Sequence, residues 1–572
     1  MRSWLSKLQA HHPLSIPVLL VAVIVAVYYP AMLSGIHCLD DPGIIDLYAS
    51  APPLSQILMP GNGYYYRPLL ELSYWLDNRL WGMTASVMHL ENILLHCANS
   101  LLVFLLARRM TGTAVAGFPL VPMLAALLFA LHPVNVEAVS WIAGRADLML
   151  ALFVLSACFF WLRWLDEPRW RDVTAALVLF VAALLTKETA IAAGAVALLL
   201  AYLPGGAATV RQRLTVVGMM TAPCVLLIIS ALVFRSGASG LSRFTSGIDL
   251  QVWQDIWDAF VAFGFYAKKL VMPVPLNFAI TEVHPIYGLL GLALLPALIW
   301  LLVRRLPAGV FFASAALLVM PAVLVAVIQI AWTPIAERYL YLPSAYFAVG
   351  VSIWIRSSWN QPRVAAIVLI LFLLAGCAFI SLQRTMLWNN KLSFFQDAIA
   401  KSPGFGSLYN ELGGIYLQRD ELDKADDAFA AADSLNKRDS MRFVIKKNML
   451  GVQCAKGDYL GVRESFFQMF KEKKEAPAAF LELLQKADNR RLSTLSGADK
   501  VLLAKDLLET LDLLNQKRYD PFWFYRSGQL WLMLEDDAKA LEFFSRSYTL
   551  APADAHYKKG AEIYLRNLGR TP

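Results

Sequence analysis

Charge is scarce in this chain. Asp, Glu, Lys and Arg make up 16% of its 572 residues, against about 25% in ordinary soluble domains. With a hydrophobic fraction of 58% and a mean hydropathy of +0.52, that shortage excludes an ordinary soluble protein and points to many membrane spans. Cysteine is scarce as well. Of Cys38, Cys97, Cys158, Cys224, Cys377 and Cys454, four fall inside apolar runs and none shows ligand-type spacing, which argues against a disulfide framework or a zinc site. No Asn-x-Ser/Thr sequon occurs, which favours a bacterial source over the secretory pathway.

What is present divides in two. The apolar richness stops near residue 383, so residues 1–383 read as a transmembrane domain and 384–572 as a soluble helical domain. The net charge of +8 is carried in the membrane half by short loops. It is a topology signal, and no nucleic-acid partner is expected. Placing Arg108-Arg109, Arg163 to Arg171, Arg211 with Arg213, Arg304-Arg305, and Arg356 with Arg363 in the cytoplasm gives about eleven spans. These run roughly 14–34, 87–107, 118–132, 147–165, 172–186, 190–204, 214–234, 286–303, 309–330, 340–355 and 364–383. The N-terminus is then cytoplasmic and the C-terminal domain outside. Arg2 and Lys7 precede a first apolar run too long for a signal peptide, with no small-x-small site after it, so an uncleaved first helix is expected. The segment 257–271 is apolar enough to cross, but Lys268-Lys269 near its end would invert every later loop. It is expected to be re-entrant or interfacial, with the lysines snorkelling.

The first outer loop, about 36 to 86, carries adjacent carboxylates at Asp40-Asp41 and then Tyr64-Tyr65-Tyr66-Arg67-Pro68. Apolar residues from Leu69 to Trp81 follow, in the pattern of an interfacial amphipathic helix. Ionisable groups near spans are expensive and are candidates for function. All the strong ones map outward: Asp40, Asp41, Tyr66, Arg67, His132, Glu137, Arg145, Asp147, Lys187, Glu188, Glu337, Arg338 and Tyr339. A carboxylate beside an acceptor hydroxyl can act as general base. Arg67, Arg145, Lys187 and Arg338 suit a phosphate leaving group, because charge developing there needs fixed positive partners. The plain alternative for each is ion pairing, Arg145 with Asp147 and the others with neighbours. His89, Glu91 and His96 form a polar stripe in the second span, for which inter-helix hydrogen bonding is favoured over a metal site.

The C-terminal part changes periodicity. Leu412-Gly413, Tyr416, Ala425, Phe429 and Ala432 fit the tetratricopeptide pattern, as do Phe524, Gly528, Trp531, Ala540, Phe544 and Pro552; Leu450-Gly451 with Phe467 is weaker, and 471–516 is degenerate. Stacked helix pairs leave a concave face suited to a polypeptide. A spacer or oligomerisation module is the alternative. The expected fold is therefore all-α, a polytopic membrane bundle followed by a soluble α-solenoid.

Together these motifs resemble a known family. The acidic pair after the first span resembles that of the GT-C superfamily of membrane glycosyltransferases. Tyr66-Arg67-Pro68-Leu69, His89-Leu90-x-Asn92 with Leu94-Leu95-His96, His132-Pro133 with Glu137-Ala138-Val139, Gly144-Arg145-Ala146-Asp147-Leu148, Lys187-Glu188 and Glu337-Arg338-Tyr339-Leu340-Tyr341-Leu342-Pro343-Ser344 resemble the transmembrane-and-tetratricopeptide-repeat protein O-mannosyltransferases. The resemblance implies transfer of mannose from a polyprenyl phosphate to Ser/Thr hydroxyls on the non-cytoplasmic face. Asp40-Asp41 would be catalytic, Arg67, Arg145, Lys187 and Arg338 would handle the lipid phosphate, and the repeats would present the acceptor protein. A bacterial inner membrane with periplasmic repeats is the expected location. Two other readings stay open: an oligosaccharyltransferase or ligase using a polyprenyl-pyrophosphate glycan, and a non-enzymatic membrane-anchored scaffold. A divalent metal at the acidic pair is an option, on weak grounds, since two adjacent aspartates alone do not make a site.

Overall fold

A computed structural model describes residues 15–36, 39–58, 66–112, 119–204, 206–235, 252–329, 331–358, 364–436, 439–470, 475–552 and 554–569. His37-Cys38, Tyr64-Tyr65 and Arg363 lie outside the described residues. The architecture is all-α. Among the described residues the sole β-type pairing is one isolated bridge, Ile280 with Ile335. The chain separates into two compact units, Met1–Ser402 and Pro403–Pro572.

In the first unit, α1 (Ser15–Tyr28) leads into the first long loop, which folds as α2 (Asp41–Ala49), α3 (Leu54–Leu58) and α4 (Pro68–Trp81). Pro68 opens α4 where its missing N–H costs nothing, and Gly82 closes it with φ +60°. This is the amphipathic helix expected from sequence. It buries Leu70, Tyr74 and Asp77, and exposes Leu76, Leu80 and Trp81. The loop has its own small core, in which Tyr48, Ile57, Leu70 and Tyr74 pack with Met83, Met88, Ile142 and Ala146.

The bundle continues with α5 (Ala85–Thr111), α6 (Leu120–Ala130), α7 (Val136–Ser140), α8 (Arg145–Asp166), α9 (Trp170–Leu184), α10 (Ile191–Ala201) and α11 (Val210–Arg235). It closes with α12 (Val252–Val271), α13 (Tyr287–Val303), α14 (Pro307–Ile328), α15 (Tyr341–Ser358), α16 (Val364–Trp388) and the short α17 (Lys391–Lys401). Each expected apolar run is helical over most of its length. Among the described residues, five helices combine the length and hydropathy to cross a bilayer, or six if the pair α6 and α7 is one span bent by 47°. That bend falls at His132-Pro133, where proline cannot continue the hydrogen-bond ladder. The segment expected to be re-entrant is a full 20-residue helix, α12. It crosses α13 at close range: a Cβ on Gly264 would lie 2.0 Å from the Tyr287 carbonyl oxygen, and one on Gly291 2.2 Å from that of Phe260.

The second unit is a run of helix pairs: α18 (Gly406–Gln418) with α19 (Leu422–Leu435), α20 (Asp439–Ala455) with α21 (Tyr459–Met469), α22 (Ala478–Leu492) with α23 (Gly497–Lys517), and α24 (Pro521–Met533) with α25 (Asp537–Leu550), ended by α26 (Lys558–Asn567). Within the first and last pairs a glycine meets a phenylalanine. A Cβ on Gly413 would stand 2.7 Å from the Phe429 ring and one on Gly528 2.8 Å from that of Phe544. Ala425, Ala432 and Ala540 are fully buried between helices. The turns of three pairs pass through the left-handed region at equivalent places, Asp420, Gly457 and Glu535. The sequence pattern and the packing thus agree that this unit is an α-solenoid.

Candidate active site

The charged residues singled out from sequence lie in loops and at helix ends of the first unit, and the ion pairs cross between loops. Arg67 is the residue before α4. The backbone N–H of Leu69 donates to the Leu185 carbonyl at 3.3 Å, which docks the start of α4 onto the turn after α9. Arg67 thereby reaches Glu188 with two parallel bonds, Nε to Oε2 at 3.0 Å and Nη2 to Oε1 at 2.6 Å. Lys187 Nζ is 2.6 Å from Asp147 Oδ1 and 5.7 Å from the centre of the Tyr339 ring. Arg338 pairs with Glu137 at 2.5 Å. The second oxygen of Glu137 takes the backbone N–H of Arg338 at 3.1 Å. Arg338 also donates to Thr333 Oγ1 and the Tyr339 hydroxyl, both at 3.3 Å. Its guanidinium lies 4.8 Å from the Tyr339 ring centre and 5.3 Å from that of Trp141.

Asp40 and Asp41 are not equivalent. Asp41, the first residue of α2, is fully buried and accepts the Ala143 N–H at 3.2 Å, tying the first loop to the turn before α8. Asp40, one residue earlier, is open to solvent. Protein crowded around its other side pushes its carboxyl above the usual carboxylate range, and the positive charges of Arg338 and then Arg67 partly oppose that rise. The two carboxylates thus meet different surroundings. Among the described residues no group of three or more His, Cys, Asp or Glu side chains converges as a metal cage.

Arg145 stands apart from the other cations. It is 2% exposed. Its Nη1 is 2.6 Å from Asp77 and its Nη2 2.8 Å from Glu91. It also donates to Asn92 and Ser73 and sits 4.9 Å from the Tyr74 ring centre. Gly144 is what lets it reach there, since a Cβ at that position would be 2.3 Å from the Ala138 carbonyl oxygen. Arg145 and Asp147 do not pair with each other, because residues two apart on a helix face different ways. Glu337, likewise buried, is held by Lys269 at 2.7 Å and by the Asn277 N–H at 3.0 Å. Lys269, expected to snorkel, is 2% exposed. His132 spans from its own turn to α12, with Nε2 3.0 Å from the Leu270 carbonyl oxygen. Tyr66 donates to the Leu58 carbonyl at 2.9 Å. His96 bridges helices through the Tyr341 hydroxyl at 2.7 Å and the Ala130 carbonyl at 3.0 Å, as hydrogen bonding in that stripe would have it, whereas both ring nitrogens of His89 are buried without a hydrogen-bond partner among the described residues. Sequence reasoning missed Asp77 and Lys269. The signal for Asp77 was its place one helical turn after Tyr74, on the buried face of α4.

Residues 67–234 match the family model described as dolichyl-phosphate-mannose-protein mannosyltransferase. Curated relatives carry a similar name. Protein O-mannosyl-transferase Tmtc1 of Drosophila melanogaster is 39% identical over 128 residues, 22% of this chain and 14% of that one. A protein O-mannosyl-transferase of Caenorhabditis elegans is 26% identical over 374 residues, 61% of this chain and 51% of that one. Drosophila Tmtc2 is 37% identical over 157 residues, 26% of this chain and 16% of that one. The chain thus spans about half or less of the length of these relatives. The resemblance read from the motifs is borne out.

Proposed function

We propose that the chain is an integral-membrane glycosyltransferase of the O-mannosyltransferase kind. It moves a hexose, mannose in the first instance, from a polyprenyl-phosphate donor to Ser/Thr hydroxyls of extracytoplasmic proteins. The family match and the similarly named relatives support the reaction class. The observation that supports the site is the set of cross-loop ion pairs Arg67–Glu188, Lys187–Asp147 and Arg338–Glu137, with the charges of Arg338 and Arg67 acting on the exposed carboxylate of Asp40.

In this reading Asp40 accepts the proton of the acceptor hydroxyl as its oxygen attacks the anomeric carbon. The bond from that carbon to the phosphate oxygen breaks, and the electron pair leaves on the lipid phosphate. Arg67, Arg338 and Lys187 then oppose the charge that appears on the leaving group. Each cation already rests against a carboxylate, namely Glu188, Glu137 and Asp147. These partners hold each head group in place before the donor arrives. A single displacement inverts the sugar carbon. Asp41 is a positioning residue that fixes the start of α2, and Arg145 is one that fixes α4 against α5 and α8. Glu337, through Lys269, holds the segment after α12, and Tyr66 and His132 anchor the loops that border the site. The donor tail enters from the bilayer, the site faces the periplasm of a bacterial inner membrane, and the repeats of the second unit present the acceptor. The division into a catalytic part, 1–383, and a repeat part, 384–572, belongs to the same proposal.

The test is sugar transfer in membranes given polyprenyl-phosphate mannose and a panel of extracytoplasmic proteins, with wild type, Asp40→Asn and Asp41→Asn. Hexose mass shifts on Ser or Thr that vanish in Asp40→Asn support the reading. Shifts only with a pyrophosphate-linked glycan, or none while Asp40→Asn cells behave as wild type, sink it.

A further inference from the structure

Beside Arg338 lies an aromatic wall that the mechanism above does not use. Trp141 packs edge-on against Phe278 at 6.3 Å and stacks on Trp388 at 6.3 Å. Phe278 in turn carries Trp332 at 5.7 Å. The wall draws on the turn before α8, the segment after α12, the segment between α14 and α15, and the end of α16. Trp141, Phe278 and Trp388 are buried, whereas Trp332 and Tyr339 are partly exposed. The wall touches the cation site directly: Arg338 lies over both Trp141 and Tyr339, and it bonds Thr333, the residue next to Trp332. The indole N–H of Trp141 is buried with no hydrogen-bond partner, a cost that an occupant bearing hydroxyls can relieve.

We infer that Trp332, with Tyr339, forms the platform on which the hexose ring of the donor stacks, with Arg338 marking the phosphate end. The inference rests on the donor reading above. Its logic is geometric and chemical. In a sugar phosphate the ring is attached to the phosphate through a single oxygen, so the sugar lies within a few ångströms of the phosphate cation, where Tyr339 and the segment carrying Trp332 and Thr333 are found. A pyranose presents one face of C–H groups and a rim of hydroxyls. An aromatic surface with a few polar groups at its edge matches both. Lys187, 5.7 Å from the centre of the Tyr339 ring, is a second cation beside that ring and the one to contact a ring hydroxyl or the phosphate.

The experiment uses the full chain in nanodiscs and compares binding of polyprenyl-phosphate mannose with that of the bare polyprenyl phosphate. Wild type is expected to prefer the mannosylated lipid about three- to tenfold, the range of one good aromatic contact. Trp332→Ala is expected to erase that preference while binding bare polyprenyl phosphate as wild type does, and Trp332→Phe to keep it. If Trp332→Ala keeps the preference, the platform is wrong. If Trp332→Ala loses both ligands and Trp332→Phe regains both equally, Trp332 is a packing residue and the platform is again wrong. If wild type binds neither lipid, or Arg338→Met binds both as wild type does, the donor reading itself fails and takes the platform with it. The two failures are thereby distinguished.

Discussion

Arg145→Met tests whether buried and exposed ion pairs in this site do different jobs. Arg145 and Asp77 are 2% and 4% exposed, and Glu91 is 30% exposed. Removing the arginine strands Asp77 without a counter-charge where water cannot reach it. Breaking a buried pair from one side costs about 3–5 kcal/mol. Arg67→Met removes a comparable pair, but Arg67 and Glu188 are 20% and 45% exposed, so that loss is about 0–1 kcal/mol. The gap is therefore at least about 2 kcal/mol, more than tenfold in an equilibrium or a rate. The assay is the half-life of the full-length protein in detergent at a fixed elevated temperature. Arg145→Met should be the shorter-lived by more than tenfold. Adding Asp77→Asn and Glu91→Gln should recover much of the loss, since no unpaired charge then remains. Equal half-lives for Arg145→Met and Arg67→Met, or no recovery in the triple variant, would refute this account of Arg145.

Asp40→Asn should abolish transfer without lowering stability: its folded pKa is raised, so ionisation above that pKa costs the folded state, and an amide carries no such cost. Thermal unfolding alongside the transfer assay checks both halves. The same rise should put the acid limb of kcat/KM above the ordinary aspartate value of about 3.9. Arg67→Met, by removing one opposing charge, should move that limb higher still; a limb that moves down refutes the assignment of Asp40 as base. Glu137→Gln should raise the donor KM more than it lowers kcat, because Arg338 loses its charged anchor but keeps one hydrogen-bond acceptor. Gly413→Ala should destabilise the repeats despite a helix-propensity gain of about 1 kcal/mol, because its Cβ would lie 2.7 Å from the Phe429 ring. Limited proteolysis within 406–435 reads the outcome.

The elements were largely legible from composition and period. Apolar runs became helices, and the glycine and phenylalanine spacing of the repeats became direct contacts, Gly413 on Phe429 and Gly528 on Phe544. The list of charged residues was legible too, because charge near a span must have a reason. Their partners were not. Glu137 meets Arg338, and Arg67 meets Glu188, across separations that no local rule encodes. Lys269 looked like a snorkelling lysine because its helix is amphipathic and ends nearby. Only the fold brings Glu337 to it. The difference between Asp40 and Asp41 was invisible for the same reason. It depends on the Ala143 N–H, which arrives from another loop.

The cross-loop pairing has a consequence for how the protein is made. In four of these pairs the carboxylate precedes its cation along the chain: Asp77 and Glu91 before Arg145, Asp147 before Lys187, and Glu137 before Arg338. Early helices therefore leave the ribosome carrying charges whose partners do not yet exist. Glu137 waits for Arg338 until the segment before α15 has been synthesised. The segment before α15 is thus the last to supply a cation to these four pairs, and their network is complete only once it has been made.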